Sequence, residues 1–205
     1  MSRHEDRQGA LAANGFRLQS FPRGGLVAND FQRLAAAELY SSPVKTIPVP
    51  KEVFVQELKN ALYFSILISY VQGLSMLHGA SEDLKMEIPL KEVVKVWRGG
   101  CIIRSTMLET FSEAYEENSS LSNLLLNKKI AELILAREND LRTVITLSAR
   151  AGYPSAGMMS ALAYFDAFRS AKLPTNLVQA QRDYFGEHTY QRVDSEGSFH
   201  TEWKS

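Results

Sequence analysis

A chain of 205 residues with 45% hydrophobic and 22% charged side chains is long enough for one substantial core and has the balance of an ordinary globular protein. Its 23 lysines and arginines match its 23 aspartates and glutamates, so bulk charge gives it no grip on nucleic acid or an anionic membrane surface. One cysteine, Cys101, rules out an internal disulfide, and no apolar run approaches the ~20 residues of a membrane span, so a cytoplasmic setting is expected.

The N-terminal segment, Met1–Asn29, is weakly patterned, polar and acidic, without the apolar stretch of a signal peptide. Arg23-Gly24-Gly25 reads as a turn. It lacks the GxGxxG spacing, with a strand before and a helix after, that a dinucleotide loop requires. Asp30 ahead of FQRLAAAELY predicts an N-cap and a short helix. Three prolines in Ser41–Pro50 stop that helix and predict an extended connector.

Lys51–Gly79 is the longest apolar-periodic run. Val53, Leu58, Leu62, Ile66, Ser69, Gly73 and Leu77 recur at the spacing of one helical face, and Leu67, Tyr70, Val71 and Leu74 widen it. Such a helix is expected centrally in a core or across a subunit boundary. His78 is read as an interhelical hydrogen-bonding group. Pro89 predicts the start of a helix over Leu90–Glu116, with Gly99-Gly100 in its middle at about 1 kcal/mol each against alanine. That expense would be offset by room for a close backbone or ligand contact. Arg98 and Arg104 flank the thin region, as surface or salt-bridged arginines or as ligand contacts. Cys101 is expected as a small buried residue.

Asn118–Ser122 reads as a turn and Leu124–Leu126 as a short apolar patch. Lys128–Ala151 predicts a further helix stopped by Gly152 and Pro154. Ser155 is placed to cap a helix to Ser170 with Met158, Met159, Leu162, Phe165 and Phe168 as packing residues, and Pro174 restarts a helix through Asp183. Val193–Ser205 is polar apart from Phe199 and Trp203, which are expected to dock on another surface. With no strand-type alternation of any length, the expected class is all-α: a single helical domain with long central helices and an extended C-terminal tail.

The chemistry-bearing stretch is QAQRDYFGEH, Gln179–His188. Arg182 offers a planar fork of donors that fits phosphate or carboxylate bidentately. His188 adds a donor whose charge is tunable near neutral pH, and Gly186 between them frees the backbone to turn. The bland reading of the same residues is an amphipathic helix end with solvated charges.

Three ordered stretches outweigh that reading: LPTNLVQAQRDYFGEHTYQR (Leu173–Arg192), WRGGCIIRS (Trp97–Ser105) and FHTEW (Phe199–Trp203). Together they resemble the C-terminal part of the decarboxylating 6-phosphogluconate dehydrogenases, over about Asp30 to the end. The resemblance implies a family that oxidises 6-phosphogluconate with NADP and releases carbon dioxide to give ribulose 5-phosphate, in the pentose phosphate pathway. A lysine base and a glutamate acid do the proton transfers there, in a motif resembling KxxHNxxEY. Neither that motif nor the GxGxxG loop nor a GTGKWT-like segment occurs in these 205 residues.

The chain therefore resembles the helical C-terminal domain alone (residues 30–192), preceded by segment 1–29 and followed by tail 193–205. No catalytic residue is assigned, NADP would be bound by the absent N-terminal domain, no metal is implied, and the chain alone is expected to be inactive. The resemblance makes Arg182 and His188 substrate contacts that reach across a homodimer into the neighbour's site. Arg33, in FQR, looks like the family's F-x-R phosphate-contacting arginine, although LAAAELY departs from the serine-rich family pattern. The implied partners are 6-phosphogluconate and a second copy, without nucleic acid or membrane. The alternative is a non-catalytic assembly module derived from the same domain. An unrelated enzyme class finds no HExxH spacing and no nucleophile elbow.

Overall fold

The longest apolar stripe becomes the axis of the structure. The computed structural model describes residues 30–41 and 45–203, and the chain divides into two units between Val44 and Lys45. The readings of Met1–Asn29 and of Pro43 lie outside the described residues. In the first unit, α1 (Asp30–Leu39) begins at Asp30 itself and carries Arg33 on an exposed stretch.

The second unit holds α2 (Lys51–Leu84), α3 (Leu90–Gly100), α4 (Met107–Glu117), α5 (Lys128–Leu135), α6 (Glu138–Ala151), α7 (Ala156–Arg169) and α8 (Asn176–Gly186), with a 3-10 turn at Leu124–Leu126. All regular structure among the described residues is helical, apart from one isolated antiparallel bridge between Tyr190 and Phe199. The all-α expectation holds.

Helix α2 runs 34 residues because Pro50 sits just before its first turn, Glu52 complements the dipole there, and no proline interrupts it. It ends at Lys85, whose left-handed backbone (φ 52°) turns its N–H back to the carbonyls of Ser81 and Glu82. Helices α6 and α7 pack along it, while α3 and the 3-10 turn meet it elsewhere. Ala61, Phe64, Leu67, Ile68, Val71 and Leu74 form its buried face. Opposite them stand Leu108 and Phe111 of α4, Ile130 and Ile134 of α5, Leu141 and Val144 of α6, and Phe165 of α7. Phe64 and Phe165 meet edge to face at 5.3 Å. Each fully buried Leu, Ile or Phe contributes about 1.5–3 kcal/mol.

The buried face is not the one expected. Val53, Leu62 and Ile66 are 49%, 50% and 38% exposed. The helix is apolar on two sides, and periodicity reports an apolar face without saying what covers it. By length and composition α2 would also suffice to cross a membrane, contrary to the expectation, yet its inner side is the core of the bundle.

The predicted helix over Leu90–Glu116 is two. Gly99-Gly100 close α3, Cys101 leaves in extended conformation (φ −89°, ψ 155°), and Ser105 Oγ accepts the Met107 N–H at 3.2 Å as α4 begins. Cys101 is therefore exposed rather than buried, and Ile102 beside it is fully exposed. The Tyr70 hydroxyl donates to the Ile103 carbonyl and pins the loop. Arg98 pairs with Glu109 across the α3–α4 contact.

The predicted helix over Lys128–Ala151 also breaks, at Ala136-Arg137. Arg137 lies over the Tyr63 ring at 4.3 Å and donates to the Leu133 carbonyl at 2.8 Å, which fixes the corner and lets α5 and α6 both face α2. Asn127 is the N-cap of α5, accepting from the Ile130 N–H at 3.2 Å. Gly152 stops α6 at φ 80°, as read. Ser155 precedes α7 but its side chain caps nothing.

Candidate anion-binding site

Helix α8 is unlike the other helices of its unit. Of its side chains only Asp183 is buried, while Leu177, Val178, Tyr184 and Phe185 are mostly exposed. It ends at Glu187, whose left-handed backbone (φ 50°) sends its N–H to the Asp183 carbonyl at 2.9 Å. Two residues on, Thr189 is left-handed too, at φ 56°. For a side-chain-bearing residue this conformation costs roughly 1–2 kcal/mol, and β-branched threonine is among the least suited to it. Such a turn persists only where its surroundings over-determine it.

The Asp183 carboxylate supplies those surroundings. Its Oδ1 accepts the Thr189 N–H at 3.1 Å and faces His200 Nδ1 at 2.9 Å. Its Oδ2 accepts the Thr201 N–H at 3.0 Å and the Trp203 indole N–H at 3.1 Å. Burial alone pushes the Asp183 carboxyl up. The Thr201 N–H, His200 and the Trp203 indole outweigh that and hold it down at about 2. The same contact raises His200 above its ordinary value, against a smaller opposing effect of burial.

The tail thus folds back on its own helix. Tyr190 and Phe199 exchange backbone hydrogen bonds at 2.8 and 2.9 Å, the Tyr190 hydroxyl meets Thr201 Oγ1 at 2.7 Å, and Trp203 packs edge to face on Tyr184 at 5.8 Å. Phe199 and Trp203, read as docking on another surface, dock here.

Between α8 and this tail lies an open cleft of about 590 Å³. Arg182, His188 and Lys172 line it together with Thr175, Gln179 and Tyr190, and no carboxylate does. Thr175 and Asn176 bring the N-terminal end of α8 to the same cleft, where its dipole favours an anion. Arg182 is exposed. Its Nη1 reaches only Gln179 Oε1, at 3.5 Å, and it has no ion-pair partner among the described residues. The imidazole of His188 folds back over Gly186, where a Cβ would lie 2.9 Å from Nε2. Glycine is needed there for that close approach.

Of the three candidates, the structure brings Arg182 and His188 to one cleft. Arg33 lies on α1 in the other unit, which is described by itself. A second concavity, about 450 Å³ within Gln191–Gly197, is less suited to an anion. Its Arg192 already holds Asp194 at 2.8 and 2.5 Å, and Glu196 adds negative charge. No group of three or more His, Cys, Asp or Glu among the described residues is placed to hold a metal ion.

Sequence reasoning passed over Asp183. Next to Arg182 it read as a solvated helix charge, and its donors arrive from up to 20 residues downstream. The one available signal was Trp203 in an otherwise polar tail, an aromatic donor in need of an acceptor.

Comparison with known proteins gives the family of the chain. The family described as "6-phosphogluconate dehydrogenase, C-terminal domain" matches residues 24–203. "6-Phosphogluconate dehydrogenase, decarboxylating 1" of Oryza sativa subsp. japonica is 43% identical over 173 residues, 84% of this chain and 36% of the relative. "6-Phosphogluconate dehydrogenase, NADP(+)-dependent, decarboxylating" of Bacillus subtilis (strain 168) is also 43% identical, over 84% of this chain and 37% of its own. Plasmodium falciparum 6-phosphogluconate dehydrogenase, solved apo, with its cofactor NADP+ and with its substrate 6-phosphogluconate, superposes with a TM-score of 0.79 at 38% identity, over 84% of this chain and 37% of that one. The chain thus spans little more than a third of the length of the relatives it matches.

Proposed function

Because this chain belongs to the 6-phosphogluconate dehydrogenase family, as its C-terminal domain, we propose that it anchors substrate and dimerises an NADP-dependent enzyme that oxidatively decarboxylates 6-phosphogluconate to ribulose 5-phosphate. The observation that carries this reading is the shared cleft: Arg182, His188 and Lys172 face one opening that no carboxylate lines. In it the Arg182 fork takes two oxygens of the substrate's phosphate, and His188 donates to a neighbouring oxygen. Arg33 is proposed as a further phosphate contact, on the strength of the F-x-R resemblance.

The dimer is part of the same proposal. Leu62, Ile66 and Met76 on the outer side of α2, and Leu177, Val178 and Phe185 on α8, are 38–80% exposed. Apolar surface left in water on two helices supports a second copy as its cover, with α8 and the tail presenting the cleft that holds Arg182 and His188 to the partner's active site. A cytoplasmic setting is retained as part of the proposal.

NADP would supply the oxidant. The residues of this chain do not fit it: there is no GxGxxG loop, and no parallel sheet among the described residues. The chain alone is proposed to be inactive. The alternative, a non-catalytic assembly module, would dimerise through the same apolar helices without responding to a phosphorylated sugar acid.

Calorimetric titration with 6-phosphogluconate, paired with sedimentation velocity, tests the reading. Binding that depends on Arg182, in a dimer, is expected. Dimerisation with no 6-phosphogluconate response would favour the assembly module, and steady NADPH production by the pure chain would overturn its proposed inactivity.

A further inference from the structure

Asp183 is absent from the cleft lining, yet the wall formed by His188 and Thr189 hangs on it. We propose that Asp183 is a positioning residue: its carboxylate holds the left-handed turn that presents His188 beside Arg182 to a phosphoryl ligand. The proposal takes the phosphoryl reading of the cleft as its premise.

Three observations carry it. Thr189 sits at φ 56°, where a β-branched residue does not stay unaided, and its N–H ends on Asp183 Oδ1 at 3.1 Å. Without that acceptor the turn relaxes toward extended backbone and swings the His188 ring off its seat on Gly186. On the other side, Oδ2 gathers the N–H groups of Thr201 and Trp203, which closes the tail over the turn.

The third observation concerns charge. Asp183 follows Arg182 on α8, and neighbours in a helix project to different sides. Here four contacts, from Thr189, Thr201, His200 and Trp203, occupy both carboxylate oxygens. Asp183 is fully buried, and Arg182 next to it has no ion-pair partner among the described residues. The arrangement uses the negative charge for shape and leaves the guanidinium for the ligand.

The test is Asp183→Ala, which removes both acceptor oxygens, in the full 205-residue chain. The readouts are circular dichroism for the helices, the Trp203 indole and His188 ring resonances for the turn, and titration with 6-phosphogluconate and with inorganic phosphate for the cleft. Expected are an unchanged helical signal, displaced Trp203 and His188 resonances, and at least tenfold weaker 6-phosphogluconate binding. A His188 ring that keeps its resonance while the Trp203 indole moves overturns the proposal. If the unsubstituted chain responds to neither ligand, the phosphoryl reading fails, while the His188 resonance in Asp183→Ala still decides the positioning role. Should Asp183→Ala lose its helical signal, Trp203→Phe removes one donor and spares the carboxylate. A smaller displacement of the His188 resonance then supports the proposal, and none overturns it.

Discussion

His200 Nδ1 stands 2.9 Å from Asp183 Oδ1, so the tail is tied to α8 by a contact that is an ion pair only while the imidazole is protonated. Asp183 raises His200 above its usual 6.5, and Glu187 and Glu202 push the same way. A raised base contributes fully below its unfolded value and loses its contribution as pH climbs through the raised one. Asp183 is depressed from 3.8 to about 2, so its contribution is complete above 3.8 and fades as pH falls toward 2. Tail docking is expected to be firmest between these limits, to loosen as pH climbs above 6.5 and to loosen again in strong acid. The Trp203 indole resonance followed against pH checks this. A resonance that stays flat above 6.5 would remove His200 from the linkage.

Arg182→Ala is expected to weaken 6-phosphogluconate binding by about 1.5–3 kcal/mol, the usual worth of a hydrogen bond to a charged group. Arg182→Lys should recover part of that, because lysine keeps the charge and loses the fork. Calorimetry on the two variants measures both. Equal affinity of the Lys variant and the unsubstituted chain would mean that the fork geometry is not used.

Gly186→Ala separates helix stability from cleft shape. Alanine is the better helix former by at most about 1 kcal/mol, so the melting temperature should hold or rise slightly. Its Cβ would sit 2.9 Å from His188 Nε2, so the ring must leave its seat and binding should fall. Unchanged binding together with an unchanged His188 resonance would show that the ring tolerates the methyl group.

Core and surface should differ sharply in weight. Phe64→Ala empties a fully buried site that faces Phe165, and is expected to cost about 3–5 kcal/mol. Asp166→Asn breaks pairs with Arg142 and Arg169 that are more than a third exposed, and is expected to cost under about 1 kcal/mol. Urea denaturation of both variants compares them. A larger loss from Asp166→Asn would mean that the α6–α7 ion network acts as one buried unit.

Ile66→Asp puts a charge on the outer side of α2, where the native residue is 38% exposed. It should leave the helical signal intact and shift sedimentation toward monomer. A variant that sediments like the unsubstituted chain would remove that side of α2 from the proposed interface.

The helices were legible where local chemistry decides: Gly152 stopped α6, and the apolar run from Lys51 made α2. The breaks at Cys101 and Arg137 were not. Gly99-Gly100 weakens helix before Cys101 without forbidding it, nothing local weakens it at Arg137, and Tyr70 and Tyr63 of α2, distant in sequence, hold the two corners. The inner side of α2 was misread for a related reason, since Ile66 and Phe64 are equally apolar and only the packing of α6 and α7 chooses between them. At the cleft, Arg182 and His188 carried their chemistry openly. Asp183 did not, because a carboxylate's role follows from donors that tertiary structure delivers.

Those donors arrive late, 17 to 20 residues downstream of the carboxylate they satisfy. A ribosome releases a chain from its N-terminal side, so the bundle around α2 is available to fold while Asp183 is still bare. The turn that carries His188 is therefore completed after the bundle during translation, and a nascent chain stalled before Thr201 would have an unfinished cleft on a scaffold already free to form.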